Sequence, residues 1–323
     1  MRKKRLRNFV LLVALSLSVG IYFYFSRLVV VLIEGGLASQ MYQYIIGQHM
    51  KDLGYTVKYD LRFYEHRKRD CCNESARNFE LLKAFPYLEI PRANLLERKI
   101  TKILFPFKDT TPNRFAYLKT RPPVYLGNYY YNADLKGSAF IKDPLCYEKA
   151  PYDKYFHFDE ATLDAKNKEI LHHIRREPMP ICVHVRLGDY NGGRGKPIKR
   201  DYVAYFARAI AFIQRKFPNA RFFFFSEESE AVRQSILPQL PEGWYEIVDV
   251  NKSDEAYKDL FLCSACKHQI MSIGAWRGPA HVLNSYAGKI LITPENIDQW
   301  ITQEEKTQSS LPLKESDRND LIK

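Results

Sequence analysis

Three polar side chains that can bind a charged ligand, His184, Arg186 and Asp189, follow closely after an apolar run. The run 181–183 comes directly after Pro180, and its composition predicts a buried strand. Parallel α/β sheets bind ligands at the carboxyl ends of their strands. Arg186 can hold a phosphate there with its planar set of N–H donors, and Asp189 can orient the guanidinium. An ordinary ion pair at a strand end is the structural alternative, and the residues alone favour neither interpretation.

Elements on the C-terminal side place this stretch in a sheet. After the predicted central strand, apolar strands alternate with amphipathic helices as far as residue 301. Such alternation predicts a doubly wound parallel sheet with helices on both faces. The strands expected after the central one cover 221–226, 244–250, 268–273 and 289–292.

The N-terminal side begins with a second strand–helix–strand unit. The continuous β-branched run 28–33 predicts a buried parallel strand, and 55–59 predicts its neighbour. Gly54 stands where a helix commonly ends on a glycine. Between the first strand and the helix, Gly35 and Gly36 would let a ligand approach the backbone near the helix N-terminus, although a plain tight turn explains them equally well.

Length, composition and charge define the class of protein. The chain has 323 residues, of which 46% are hydrophobic and 27% charged, so we expect a globular protein with two domains. Its net charge of +12 favours an anionic membrane surface or a phosphorylated substrate, and no nucleic-acid motif is found. We predict an N-terminal acceptor-side domain over 28–177, a nucleotide-sugar-binding domain over 178–301 and a polar tail over 302–323.

Residues 1–27 predict an uncleaved signal anchor. The uncharged apolar run 9–25 is just long enough to cross a membrane, and no small-residue cleavage site follows it. Basic residues before the run favour a cytoplasmic N-terminus and hence a single-pass membrane protein. In a eukaryote this would be a Golgi type II protein. In a bacterium it would belong to the inner membrane, and the helix would then lie in the interface, because the domain must reach the cytosol.

The cysteines and histidines predict no metal site and no cofactor. The Cys-x-x-Cys pair Cys263 and Cys266 has no second pair to complete a zinc site. Cys182 is expected to be a buried thiol that packs as a small hydrophobe. His172 and His173 are expected at a solvated helix end.

Several of these segments together resemble the α-1,2-fucosyltransferase family, glycosyltransferase family 11. The resemblance covers nearly the whole chain, from 28 to about 297, and its motifs occur in the family's order. It implies a GT-B-like fold with two Rossmann-like domains and an inverting, metal-independent transfer of L-fucose. The donor would be GDP-fucose, and the acceptor a glycan hydroxyl, commonly O2 of a terminal galactose. The main motif segments are 34–44, 184–190, 225–228 and 259–267.

The resemblance also implies roles for individual residues. Arg186 matches the arginine that binds the donor's pyrophosphate, where a fixed guanidinium stabilises the charge that grows on departing GDP. With Asp189 and His184 it forms the expected catalytic set. The expected donor-binding residues are Arg186, Gly35, Gly36, Gln40, Ser226, Glu227, Gly274, Ala275 and Arg277.

Two departures from the family pattern leave alternatives open. Leu187 replaces the family's second arginine, and Gly274–Arg277 replaces a hydroxyl-rich segment, in which Arg277 can substitute charge for hydroxyls. The donor can therefore be a different nucleotide sugar, or the chain can be a catalytically weakened glycan-binding homologue. A membrane-anchored glycan-binding module using the aromatic residues 129–131, and a purely structural membrane protein, are the remaining alternatives.

Overall fold

In the structure, a computed structural model, the chain divides into two units. The structure describes residues 2–67, 77–104, 124–126, 150–186, 199–240, 243–252 and 254–309. The first unit ends at Asp159 and the second begins at Glu160. Each unit contains a parallel β-sheet with helices, so the predicted α/β class with two Rossmann-like domains is confirmed for each unit by itself.

The first unit is built on a three-stranded parallel sheet in the order β2-β1-β3. The strands are β1 Leu28–Leu32, β2 Thr56–Asp60 and β3 Val124–Leu126. The helices described in this unit are α1 Arg2–Phe25, α2 Leu37–Asp52, α3 Leu81–Ala84, α4 Leu95–Leu104 and α5 Tyr152–Tyr155, with a π-helical turn at Phe63–Arg67.

Apolar side chains in β1 and a glycine in α2 bring the first strand, helix and second strand together. Leu28 to Val31 are fully buried, as expected for a strand covered on both faces. Gly47 of α2 packs against the ring of Tyr59 in β2 so closely that an added Cβ would collide with it. After α2, Gly54 has a φ of 85° and ends the helix, which confirms its predicted position.

The second unit contains a five-stranded parallel sheet in the order β6-β5-β4-β7-β8. The strands are β4 Met179–His184, β5 Ala220–Phe225, β6 Tyr245–Val248, β7 His268–Met271 and β8 Leu291–Ile292. The helices are α6 Ala165–Arg176, α7 Arg200–Lys216, α8 Ser229–Ser235, α9 Ala256–Ala265, α10 Arg277–Val282 and α11 Ile297–Ser309, with short 3-10 turns at Glu160–Thr162 and Leu237–Gln239.

The order of these strands reverses at β4. The chain runs outward through β5 and β6, then returns to the other side of β4 to form β7 and β8. The doubly wound sheet predicted from the sequence is therefore present. Its topological switch point lies between the carboxyl ends of β4 and β7, which is where open α/β sheets bind ligands.

The boundary between the units differs from the predicted one. Helix α6, which the sequence assigned to the first domain, belongs to the second unit and packs against α9. Asp164 caps α6 by accepting a hydrogen bond from the Asn167 backbone, and its carboxylate lies 2.7 Å from Lys258 of α9. This ion pair, together with the amide contact of Asn167 with Asn251, ties α6 to the second sheet.

The predicted polar tail also begins too early. Residues 302–309 continue helix α11, where Trp300 and Ile301 pack on the hydrophobic core of the second unit. Glu304 forms an ion pair with Lys216 at the end of α7. The packing of Trp300 and Ile301 and the ion pair of Glu304 thus stabilise the helix beyond residue 301, where the sequence predicted the polar tail to begin.

A disulfide joins β4 to α9, contrary to the expected thiol at Cys182. Cys182 and Cys263 are bonded, with their Cα atoms 5.3 Å apart and a sequence separation of 81 residues. Helix α9 packs over β4, and both residues are fully buried between them. Cys266, one turn further along the chain, is a buried free thiol.

Helix α1 is long and apolar enough to cross a membrane. The stretch Lys4–Phe25 contains an 18-residue window with a mean hydropathy of 1.9, and none of that window is buried within the protein. Length and composition support the predicted anchor, although a signal sequence satisfies the same criterion. Only Ser26 and Arg27 separate the helix from β1.

Candidate active site

The switch point of the second sheet brings together residues that follow β4 and β7. The Oγ of Ser272, just after β7, donates to the carbonyl oxygen of His184 at 2.9 Å. The same Oγ accepts a hydrogen bond of 2.8 Å from the backbone N–H of Arg186. Ser272 therefore fixes the backbone from which the half-buried Arg186 side chain projects, at the strand end where the sequence predicted it.

His184 is held as a neutral ring at this edge. Its imidazole stacks on the indole of Trp276, with ring centroids 4.7 Å apart and planes at 12°. Burial, reinforced by the nearby charge of Arg186, lowers the pKa of His184 to about 3. A ring that resists protonation is a poor general base, so this geometry favours a positioning role over the predicted catalytic one.

The segment after β7 supplies further predicted donor-binding residues. Gly274 has a φ of 148°, a conformation that favours glycine, and Ala275 follows it in the turn before α10. Arg277, in the first turn of α10, lies 3.1 Å from the Glu295 carboxylate. Burial alone would raise the pKa of Glu295, but Arg277 holds it below its ordinary value. Part of the Arg277 charge is thus already neutralised within the protein.

Ser226 and Glu227 follow the carboxyl end of the neighbouring strand β5, as predicted. The Ser226 Oγ accepts a hydrogen bond of 3.0 Å from the Glu228 backbone N–H and so shapes this turn. Glu227 lies near a second carboxyl group, Asp259 in the first turn of α9. The strand end therefore carries an acidic pair in addition to the expected residues.

Asp259 is a titratable group whose individual role the sequence did not reveal. Its carboxylate accepts a 2.6 Å hydrogen bond from the side chain of Asn251. Burial, with smaller contributions from Glu227 and Glu255, raises the pKa of Asp259 to about 7. This carboxyl group therefore changes charge near neutral pH beside a predicted donor-binding residue.

Replacing Asp259 by asparagine is expected to stabilise the protein at neutral and alkaline pH. The unfolded carboxyl ionises near its ordinary pKa, whereas the folded one holds its proton until about pH 7. Folding of the wild type is therefore increasingly disfavoured as the pH rises through this window, and asparagine avoids that cost. The difference in melting temperature between Asp259→Asn and wild type should grow from about pH 4 and level off above about pH 7.

The matched control is Asp249→Asn, which removes an exposed carboxylate paired with Arg233. Its melting temperature relative to wild type should not show this rise. A pH-independent difference for Asp259→Asn would contradict the raised pKa of Asp259.

In the first unit, Gln40 organises the glycine loop that follows β1. Its buried side-chain amide donates to the carbonyl oxygens of Gly35 and Asn78, at 3.1 and 2.8 Å. Its Oε1 accepts from the backbone N–H groups of Glu80 and Leu81, each at 3.0 Å. All four hydrogen-bonding positions of the amide are thus used within the protein, which favours a role for Gln40 in positioning the loop over the predicted donor contact.

The loop itself has the predicted form. Gly35 has a φ of 79°, and Gly36 precedes the first residue of α2 in extended conformation. The Gly35 carbonyl also accepts a 2.9 Å hydrogen bond from the Tyr64 hydroxyl. Its conformation is therefore fixed from several sides before any ligand arrives.

Three features of the sequence interpretation lie outside the described residues. They are the predicted catalytic Asp189, the departure at Leu187 and the aromatic loop 129–131. The contribution of these residues to the site stays a prediction.

The model of the family described as "Glycosyl transferase family 11" matches residues 28–311, which is most of the chain. The chain belongs to glycosyl transferase family 11. The match begins at the first residue of β1, so the apolar helix α1 lies outside the family's common part. The family resemblance predicted from the sequence motifs is confirmed.

A curated relative of this family 11 chain is the O-antigen biosynthesis glycosyltransferase WbnK of Escherichia coli. The two are 22% identical over 315 residues, covering 86% of this chain and 97% of WbnK.

Among solved structures, the chain is similar to NodZ α-1,6-fucosyltransferase co-crystallised with GDP. The TM-score is 0.46 with 12% identity, covering 80% of this chain and 92% of NodZ. A mutant of Arabidopsis thaliana FUT1 in complex with GDP gives a TM-score of 0.44 with 12% identity, over 84% of this chain and 71% of that one.

The sequence missed two contributors to the site of this family 11 protein. Ser272 follows β7, and Arg186 follows β4. Because β4 and β7 are parallel neighbours, their carboxyl ends lie at the same edge of the sheet, and this was the signal that could have connected the two residues. The stacking of Trp276 on His184 had no signal in the sequence, because the two residues are distant along the chain. Both contacts lie at the switch point, where a ligand of the second unit is expected.

Proposed function

We propose that this family 11 glycosyltransferase transfers L-fucose from GDP-fucose to a glycan hydroxyl with inversion, and that the hydroxyl is O2 of a terminal galactose. In the reaction the acceptor oxygen bonds to C1 of fucose while the bond from C1 to the β-phosphate oxygen breaks. The acceptor hydroxyl loses its proton, and GDP leaves with added negative charge. The enzyme must stabilise that charge more strongly in the transition state than in bound donor.

The observation that carries this proposal is the position of Arg186 in a family 11 chain. It stands at the switch point of the second sheet, and Ser272 fixes its backbone. A guanidinium held in place there can bind two phosphate oxygens and stabilise charge on departing GDP without reorganising. Asp189 is proposed to orient the guanidinium.

We propose that transfer needs no metal ion, because arginine carries the charge of the pyrophosphate. The chemistry proposed for Arg186 replaces the Lewis acid that other transferases use.

Donor selectivity tests the proposal directly. The full-length protein in detergent is screened for thermal stabilisation by GDP-fucose, GDP, UDP-sugars and CMP-sugars, with and without EDTA. A ligand at 100 times its Kd adds about 2.7 kcal/mol to the stability of the folded state, which raises the melting temperature by several degrees. We expect this rise with GDP-fucose and GDP alone, and we expect it to be unchanged by EDTA.

Transfer is then measured on oligosaccharides that end in galactose, with the product linkage assigned by NMR. Stabilisation by a UDP-sugar instead would assign a different donor. Stabilisation by an acceptor glycan without any nucleotide effect would indicate a glycan-binding homologue. Loss of transfer on chelation, restored by manganese or magnesium, would refute the arginine mechanism.

We also propose that α1 is a signal anchor, with the basic N-terminus in the cytoplasm. The apolar length of Lys4–Phe25 and the cluster of basic residues before it support this proposal. In a eukaryotic cell the two units would then face the Golgi lumen.

A further inference from the structure

The outer face of α4 exposes large apolar side chains. Leu95, Leu96 and Ile103 are 56%, 60% and 73% exposed. At 3.6 residues per turn they lie on one side of the helix, with Lys99 between them and Lys102 beside them. We call these five residues the α4 outer face. An apolar helix face flanked by lysines is typical of helices that lie in a membrane interface.

The inner side of α4 is fixed to the end of α1 through Glu97. The Glu97 carboxylate accepts a hydrogen bond from the Tyr24 hydroxyl in the last turn of α1. The Glu97 carboxylate also lies 3.5 Å from the Lys58 amine. It accepts a hydrogen bond from the Asn94 backbone N–H, and the Asn94 side-chain oxygen accepts one from the Glu97 backbone N–H, so the two residues cap the helix reciprocally. The first turn of α4 is therefore held beside the last turn of α1.

If α1 is inserted, its contact with Glu97 sets the level of the first turn of α4 relative to the membrane. Helix α1 ends at Phe25, whose ring packs on the small apolar cluster of Leu28, Val30 and Ala93. If α1 spans a bilayer, its last turn lies at the headgroup level, where tyrosines such as Tyr24 are favoured. The adjoining turn of α4 would then lie at the same level, because Glu97 in that turn accepts the hydrogen bond from Tyr24.

We propose that the α4 outer face docks on the phospholipid surface around the protein's own anchor helix. Leu95, Leu96 and Ile103 would enter the boundary between headgroups and acyl chains, and Lys99 and Lys102 would contact lipid phosphates. Residues 9–323 carry a net charge of +7, because five of the chain's excess basic residues precede the anchor on the other side of the membrane, and this remaining charge complements such a surface. Together with α1, this docking would hold the first unit in one orientation on the membrane. The inference requires α1 to be inserted, but it does not depend on which sugar is transferred.

Quenching by brominated lipids tests the contact in the full-length protein. The three native tryptophans, Trp244, Trp276 and Trp300, all lie in the second unit and supply the background. Leu96→Trp and Ile103→Trp are reconstituted separately in nanodiscs of brominated phosphatidylcholine and phosphatidylglycerol. The added fluorescence of each is expected to be blue-shifted and largely lost to quenching.

Two variants calibrate this measurement. Leu12→Trp, within α1, should be strongly quenched and reports that the anchor is inserted. Leu82→Trp is the matched surface control, because α3 lies beside Gln40 at the carboxyl end of β1, whereas α1 enters at the other end. Its added fluorescence should not be quenched beyond the wild-type background. Lys99→Gln combined with Lys102→Gln should weaken the quenching of Leu96→Trp in anionic lipid more than in neutral lipid.

Efficient quenching of Leu12→Trp without quenching of Leu96→Trp and Ile103→Trp would overturn the proposal. A blue shift at Leu96→Trp without bromine quenching would also overturn it, by indicating burial against protein such as a second copy of the chain. Absence of quenching at Leu12→Trp would remove the anchor on which the docking rests. None of these results depends on transfer activity, so they leave the proposed reaction to its own test.

Discussion

Changing Arg186 to lysine is expected to remove most of the transfer activity while leaving the fold intact. Lysine keeps the positive charge but loses the planar pair of donors that binds two phosphate oxygens at once. A charge-assisted hydrogen bond contributes about 1.5–3 kcal/mol, so the loss of one should lower kcat/KM roughly 10- to 150-fold. Because the interaction strengthens as GDP departs, kcat should fall along with donor affinity.

Arg208→Lys is the matched control in the same unit. Arg208 is half exposed and pairs with Asp298 in the first turn of α11. Its substitution should leave both kcat and KM close to wild type. If Arg186→Lys is equally harmless, Arg186 is only a structural ion-pairing residue, and the pyrophosphate must be bound elsewhere.

Local sequence was sufficient to predict the sheet that carries Arg186. The run of phenylalanines from Phe222 to Phe225 is fully buried, as its composition indicated, and it pairs with β4 on one side and β6 on the other. Buried parallel strands consist of continuous apolar residues, so their existence can be predicted from short windows. The helix end at Gly54 could also be predicted from the local sequence, because the positive φ that follows the last helical turn favours glycine at that position.

Contacts between distant residues could not be predicted in this way. Gln40 was expected to contact the donor, but its amide is used by Asn78, Glu80 and Leu81, which come much later in the chain. The sequence contained the polar residue in the right loop. It did not contain the backbone geometry that determines whether that residue is available to a ligand.

The domain boundary was wrong for a related reason. The predicted boundary lies at Pro178, directly after α6, where a proline disfavours helical conformation in the residue before it. The ion pair of Asp164 with Lys258 and the contact of Asn167 with Asn251 join α6 to elements beyond that boundary. Long-range contacts, and not the end of a helix, decide which unit a helix belongs to.

Loss of the disulfide between Cys182 and Cys263 is expected to have the largest effect on stability. The bond closes a loop with a sequence separation of 81 residues, and it links the central strand of the second sheet to the helix above it. Cross-linking restricts the unfolded chain, so its removal should cost about 2–5 kcal/mol. The measurement is the free energy of unfolding in denaturant for wild type and for Cys182→Ala combined with Cys263→Ala.

Cys266→Ala is the matched control, since it removes a buried free thiol from the same helix without breaking a cross-link. It should cost much less than the double variant. Wild type treated with a reductant should lose stability like the double variant, whereas the double variant itself should not respond to the reductant. Equal stability of all forms would show that the two cysteines are not bonded in the folded protein.

The redox state of the Cys182–Cys263 pair in cells also tests on which side of the membrane the two units lie. Disulfides form and persist in oxidising compartments and are rare in a reducing cytosol. An N-terminus anchored in the cytoplasm by its basic residues would place the second unit on the opposite, oxidising side. When the protein is unfolded directly from cells in the presence of an alkylating agent, mass spectrometry should therefore find Cys266 modified without a reductant and Cys182 modified only when a reductant is added before alkylation. If Cys182 of the unfolded protein is instead alkylated without a reductant, the cysteine pair is reduced in the cell, which contradicts the proposed orientation and favours a helix α1 that lies in the interface.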